Sequence, residues 1–129
     1  MSASDLPEEL SRFIQSSVPT YMAAELLLFL SQSPDKQWKP EEIVNEIQPR
    51  VITLSAAKEY LALFKTQGLV VEKQDTQYQY RPASPEAVTA VSALAKAYNE
   101  RPVTLIRTIY ALADNKIQSF ADAFKLKKE

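Results

Sequence analysis

Residues 55–82 read SAAKEYLALFKTQGLVVEKQDTQYQYRP, a helix-patterned run that ends at a glycine and leads into a charged, tyrosine-bearing segment. Gly68 is the only glycine of the chain. It stands where the end of a helix favours a residue that tolerates a left-handed backbone. The stretch therefore predicts a helix that ends near Gly68, an apolar entry at Leu69 to Val71, and then a β-hairpin.

Two further core helices are predicted before this stretch. Thr20 can cap an apolar helix from Tyr21 to Gln32, and a Ser-Pro-Asp turn ends it. Trp38 follows in a short strand. Pro40 then occupies the first position of a second helix, which ends before Pro49. The predicted order is helix, short strand, helix, helix and hairpin.

The third of these helices has its cap at Thr53 or Ser55, and its end resembles a pattern of bacterial winged helix-turn-helix regulators. In that family the pattern is leucine, two residues, leucine, three residues, and then glycine-leucine-valine. The link from Arg50 to Thr53 departs from the family because it is longer than the tight turn that is usual there. The resemblance covers about half of the chain, Tyr21 to Pro82, and implies a mainly α, winged helix-turn-helix fold with a small β-hairpin wing. The matching residues are Ala57, Leu61, Phe64, Gly68, Leu69 and Val70.

The chain divides on this basis into two parts. Residues 1–82 are predicted to form a winged-helix domain preceded by an N-terminal helix that starts near Pro7. Residues 83–129 are predicted to form a C-terminal extension of added helices, with Ser84 as the first cap and a last helix from Asn115 through Leu126. The apolar stripe of this extension has to be buried, either against the winged-helix domain or in a homodimer.

Composition narrows the classes of function. The 129 residues are 46% hydrophobic and 24% charged, as expected of a soluble globule. Histidine and cysteine are absent, so the usual zinc ligand sets, the thiol nucleophile and the imidazole base are excluded. One glycine is too few for a glycine-rich phosphate loop. We therefore expect no enzyme activity, no catalytic or metal site and no cofactor.

Three sequence features predict a cytoplasmic location. No apolar run approaches the ~20 residues needed to cross a bilayer. The first residues lack the basic start and long apolar stretch of a secretory signal, and without cysteine the chain cannot form disulfides. Neither insertion in a membrane nor secretion is expected.

The resemblance also implies where double-stranded DNA would be contacted. In winged-helix regulators the third helix enters the major groove, and the wing approaches the minor groove or the backbone. Lys58, Lys73 and Arg50 would contact phosphates, while the glutamines and Arg81 would reach base edges or sugar oxygens. The expected function is that of a DNA-binding regulator of transcription. The candidate DNA-binding residues are Arg50, Ser55, Ala56, Lys58, Glu59, Ala62, Lys73, Gln74, Gln77, Gln79 and Arg81.

Charge leaves a second function open, a protein-interaction adaptor without DNA binding. Residues 36–81 carry seven basic and six acidic side chains, and the pI is 5.6. This is a weak electrostatic footprint for a nucleic-acid binder. The winged-helix scaffold also serves in protein interactions, for which Tyr60 and Leu63 would supply an apolar patch if exposed.

Two further questions remain open: the role of two tyrosines in the hairpin, and the presence of a ligand pocket. Tyr78 and Tyr80 lie on one face of the predicted hairpin, where they either pack the sheet or stack on single-stranded bases. A pocket between the winged-helix domain and the extension could take a small effector. The residues expected near it are Tyr98, Arg101, Arg107 and Tyr110.

Overall fold

The computed structural model describes residues 6–47 and 52–113 of the 129-residue chain. This part is mainly helical and carries a small three-stranded antiparallel sheet. Arg50 and the predicted helix from Asn115 through Leu126 lie outside the described residues. The helices are α1 (Glu8–Ser17), α2 (Tyr21–Ser31), α3 (Pro40–Glu46), α4 (Leu54–Thr66), α5 (Pro85–Glu100) and α6 (Pro102–Ala113). The strands are β1 (Gln37–Trp38), β2 (Val70–Lys73) and β3 (Gln77–Tyr80).

Side-chain caps define the starts of three helices. The hydroxyl oxygens of Thr20, Thr53 and Ser84 each accept a hydrogen bond, of 3.0 to 3.1 Å, from the backbone N–H three residues later. These bonds satisfy N–H groups that have no partner inside the helix. The predicted caps of α2 and α5 are confirmed, and of the two candidates for α4 the structure selects Thr53 over Ser55. Helix α1 begins after Pro7 without a side-chain cap.

Gly68 ends α4 as the sequence predicted. Its φ angle is +76°, in the left-handed region. The N–H of Gly68 donates to the carbonyl of Lys65, and the N–H of Leu69 donates to that of Phe64 at 2.8 Å. This pair of bonds is a Schellman motif, which satisfies the last carbonyls of a helix. The chain therefore turns sharply from α4 into β2.

The sheet has the strand order β1-β3-β2. Strands β2 and β3 form the predicted hairpin, with Lys73 paired to Gln77 at its turn end. Trp38 lies in the predicted short strand and pairs with Tyr78. The Trp38 ring also contacts Phe29 of α2, with 4.9 Å between the ring centroids. The sheet is thereby attached to the helical core.

One hydrophobic core joins all parts of the described chain. Helix α2 lies at its centre, since its residues from Ala23 to Leu28 are all buried. Leu94 of α5 and Leu105 and Ile109 of α6 are buried in the same cluster. These three residues of the C-terminal extension are therefore buried within this chain, whereas Val88, Val103 and Tyr110 are exposed.

A helix that crosses a bilayer has to be both long and apolar. None of the described helices is by itself long and apolar enough to do so. Helices α1 and α2 meet those requirements only when taken together, and a 100° bend separates them.

Candidate nucleic-acid interface

Helix α4 has one buried side and one exposed side. Ala57, Leu61 and Phe64 are fully buried, and their spacing places them on a single face. The opposite face is exposed and consists of short or charged side chains. A helix with such a face can be approached closely by another molecule. The candidate residues on the exposed face are Ser55, Lys58, Glu59 and Ala62, while Ala56 is half-buried.

The hairpin places its candidate residues differently. Lys73 and Gln77 lie opposite each other where the hairpin turns, and both are half-buried. Gln74 is exposed within the turn. Arg81 follows β3 and is exposed, and its backbone N–H donates to the carbonyl of Leu69 at 2.9 Å. The hairpin thus carries a basic residue at each of its ends.

Gln79 has a structural contact that sequence reasoning did not foresee. Its side-chain Nε2 donates a 3.0 Å hydrogen bond to the carbonyl oxygen of Pro34, in the turn after α2. The bond fastens the middle of β3 to the turn before β1. One N–H of the Gln79 side-chain amide is therefore engaged within the protein, and its role toward DNA stays a prediction.

An ion pair joins α4 to the hairpin. The Nζ atom of Lys65 lies 2.7 Å from Oε1 of Glu72 in β2. The hydrogen bond from Lys65 to this carboxylate, together with its negative charge, raises the lysine pKa above its ordinary value of 10.5. Sequence analysis did not single out Lys65, because the pair forms only when the chain reverses at Gly68. The pair holds the two candidate DNA-contacting elements together at the surface.

The tyrosines of this region are engaged in packing. Tyr60 is half-buried against the core, and its hydroxyl lies 2.8 Å from Oγ1 of Thr20. Tyr78 and Tyr80 also pack against the core from the sheet. Burial raises the pKa of Tyr80 above its ordinary value of 10.0. Of the alternatives predicted for these side chains, the structure therefore shows packing, and Leu63 is half-buried as well.

The net charge of this surface is small, and its basic side chains differ in whether they form an ion pair. Residues 54–81 carry four basic and three acidic side chains. Lys65 is compensated by Glu72. Among the described residues, Lys58, Lys73 and Arg81 form no ion pair. Lys58 belongs to α4, Lys73 to the turn end of the hairpin, and Arg81 follows β3.

The region holds no metal centre in the described ranges, where no three acidic side chains are placed to bind an ion. Glu42, in the first turn of α3, accepts a 2.9 Å hydrogen bond from the backbone N–H of Lys39 and so caps that helix.

Comparison with protein families, curated proteins and solved structures finds no match to this chain.

Proposed function

We propose that the chain is a winged helix-turn-helix protein that binds double-stranded DNA and regulates transcription in the bacterial cytoplasm, without catalysis. The order α2-β1-α3-α4-β2-β3 supports this fold, because a short strand before the second helix pairs with the strand that returns from the hairpin. The observation that carries the proposal is the exposed face of α4. It combines small and charged side chains directly beside a hairpin with basic residues at both ends.

In this proposal α4 is the recognition helix. The major groove is about 12 Å wide and admits one helix. Lys58 would neutralise a phosphate, while Ser55 and Glu59, near the start of the helix, would reach base edges. Lys73 and Arg81 would bring the wing to the adjacent backbone or minor groove. Ala62, without a long side chain, would leave room for the edge of the groove.

A homodimer would compensate for the weak charge of one chain. Three uncompensated cations supply few phosphate contacts, and a two-fold dimer doubles them. Val103 and Tyr110 are each 59% exposed. They stand seven residues apart on α6, so they lie on one face of that helix. We propose Val103, at the start of α6, as part of the dimer contact, which leaves Tyr110 two turns further along the helix accessible.

Fluorescence anisotropy with a labelled random duplex over a salt series tests the DNA proposal. The test variant is Lys58→Ala, Lys73→Ala, Arg81→Ala. The control variant is Arg12→Ala, Lys96→Ala, Arg101→Ala, which removes the same charge from α1, from α5 and from the residue between α5 and α6. Far-ultraviolet circular dichroism establishes that each variant is folded.

We expect the unmodified chain and the control variant to bind, and the logarithm of their affinity to fall linearly with the logarithm of salt concentration. Each lost phosphate contact reduces that slope by about 0.9, so the test variant should bind weakly with a shallower slope. Equal losses in both triple variants would mean that net charge alone drives binding, and would contradict the proposed surface.

A protein-interaction adaptor is the second candidate. It is favoured by the Lys65–Glu72 pair, which removes one cation from the α4 surface, and by the small excess of basic residues in 54–81. An adaptor would not bind the duplex even at low salt. The same titration therefore separates the two functions.

A further inference from the structure

A groove opens where the first turns of α2 and α4 meet α6. Its volume is about 630 Å³, which falls within the range of roughly 300–1,000 Å³ typical of small-molecule sites. It borders α4 and shares only Ala56 with the candidate DNA-binding residues. Tyr21, Tyr60 and Tyr110 supply its aromatic lining, and Glu25 is its only acidic residue. None of the described residues that line it is cationic.

Two of the three lining tyrosines are held in place by contacts within the chain. The Tyr21 ring stacks on Tyr98, with 5.6 Å between centroids and 8° between planes. The Tyr60 hydroxyl lies 2.8 Å from Oγ1 of Thr20. Two of the three aromatic rings are therefore fixed before any ligand arrives, which reduces the entropy lost on binding. Tyr110, at 59% exposure, is accessible at the rim.

Glu25 gives the groove its charge. It is only 7% exposed, although it belongs to the apolar helix α2. Its Oε2 atom accepts a 3.0 Å hydrogen bond from the Tyr98 hydroxyl, and the residue takes part in a further interaction. Burial of a carboxylate is costly unless favourable contacts compensate it. A carboxylate beside aromatic rings attracts cations, because both the charge and the ring faces favour them.

We propose that this groove binds a lipophilic organic cation, a molecule with one positive charge on an aromatic or alkyl body. The rings of Tyr60 and Tyr110 would contact the apolar body of the ligand. The carboxylate of Glu25, in the wall of the groove, would attract its positive charge. The inference does not depend on DNA binding.

Two probes of nearly the same shape and opposite charge test the proposal. Tetraphenylphosphonium is the cation and tetraphenylborate the anion, each titrated calorimetrically into the full chain in sodium buffer without DNA. The variants are Glu25→Gln, which keeps an oxygen acceptor for Tyr98, and Tyr110→Ala at the exposed rim. Glu9→Gln on α1 removes the same charge outside the groove and serves as the control.

We expect the cation to bind the unmodified chain and the Glu9→Gln control with equal affinity. Its affinity for each of the two groove variants should be lower by a factor of about ten or more. The anion should not bind. If Glu25→Gln does not fold, the comparison of the two probes still tests whether the groove prefers a cation. Tyr110→Ala then tests whether the cation binds in the groove. The proposal is overturned if the cation does not bind, if the anion binds as tightly, or if the folded groove variants bind the cation as the unmodified chain does.

Discussion

Tyr98 of α5 donates a 3.0 Å hydrogen bond to the carboxylate of Glu25 in α2, across 73 residues of sequence. Tyr98 is half-buried and its ring also stacks on Tyr21 of α2. The contact joins the C-terminal extension to α2, the central helix of the core. The described extension is thus part of the same packed structure.

The first prediction is that Tyr98→Phe lowers the free energy of unfolding. The substitution keeps the ring stacked on Tyr21 but removes a hydrogen-bond donor to a buried charged group, which costs about 1–3 kcal/mol. Urea unfolding followed by circular dichroism measures the loss. Tyr110→Phe removes an exposed hydroxyl and should change stability by less than about 0.5 kcal/mol. Equal stability of Tyr98→Phe and the unmodified chain would show that the bond contributes nothing.

The second prediction concerns the end of α4. Gly68 has a φ of +76°, and a Cβ added there would lie 3.3 Å from the Cβ of Ala83. Gly68→Ala should therefore destabilise the chain by about 1–2 kcal/mol, the cost of a left-handed backbone in an L-residue. Gly68→Asn brings the same Cβ contact but tolerates this backbone better. Thermal unfolding should rank the chains glycine, asparagine, alanine. A loss as large for asparagine as for alanine would assign the cost to crowding against Ala83.

The local features of this fold could be predicted from sequence. Thr20, Ser84 and Gly68 act on backbone groups within a few residues of themselves, so their roles follow from residue type and position. The buried side of α4 followed from helical spacing. Arg50 and the segment from Asn115 lie outside the described residues, so their predicted roles are untested.

The contacts that connect distant elements could not be predicted in this way. Gln79 was considered as a DNA contact from its place on the hairpin, yet it also binds the Pro34 carbonyl 45 residues away. The Lys65–Glu72 and Tyr98–Glu25 pairs likewise depend on how elements pack together. The groove beside α2 was expected near Tyr98, Arg101, Arg107 and Tyr110, but of these only Tyr110 lines it. Spacing along the chain carries no signal for such contacts.

The third prediction is a loss of stability at alkaline pH through Tyr80. Burial raises the pKa of this phenol above 10.0 in the folded chain, so the unfolded chain releases the proton first. Stability should therefore fall as pH rises from about 10 toward the folded-state pKa. Urea unfolding at about pH 9 and pH 11 should show a smaller decline for Tyr80→Phe than for the unmodified chain. An equal loss of stability in Tyr80→Phe and in the unmodified chain would mean that the pKa of Tyr80 is the same in the folded and unfolded states.

The fourth prediction uses the Lys65–Glu72 pair, whose atoms are 2.7 Å apart. Glu72→Gln removes a negative charge beside α4 and frees Lys65 for a phosphate. If this surface binds DNA, the variant should bind a duplex severalfold more tightly at low salt, with a slope steeper by about 0.9 for one added contact. Glu9→Gln should leave the affinity and the slope unchanged. Weaker or unaltered binding by Glu72→Gln would argue against DNA at this surface.

The most direct test of the central claim is to locate the DNA on the protein by backbone amide NMR. A ¹⁵N-labelled chain is titrated with a short duplex at low salt, and the shifted amides are assigned. We predict that shifts concentrate on the exposed face of α4, at Ser55, Lys58, Glu59 and Ala62, and on the hairpin near Lys73, Gln77 and Arg81. Shifts centred instead on α1 and α5, or no shifts at saturating duplex, would contradict the proposal that α4 and the hairpin bind DNA.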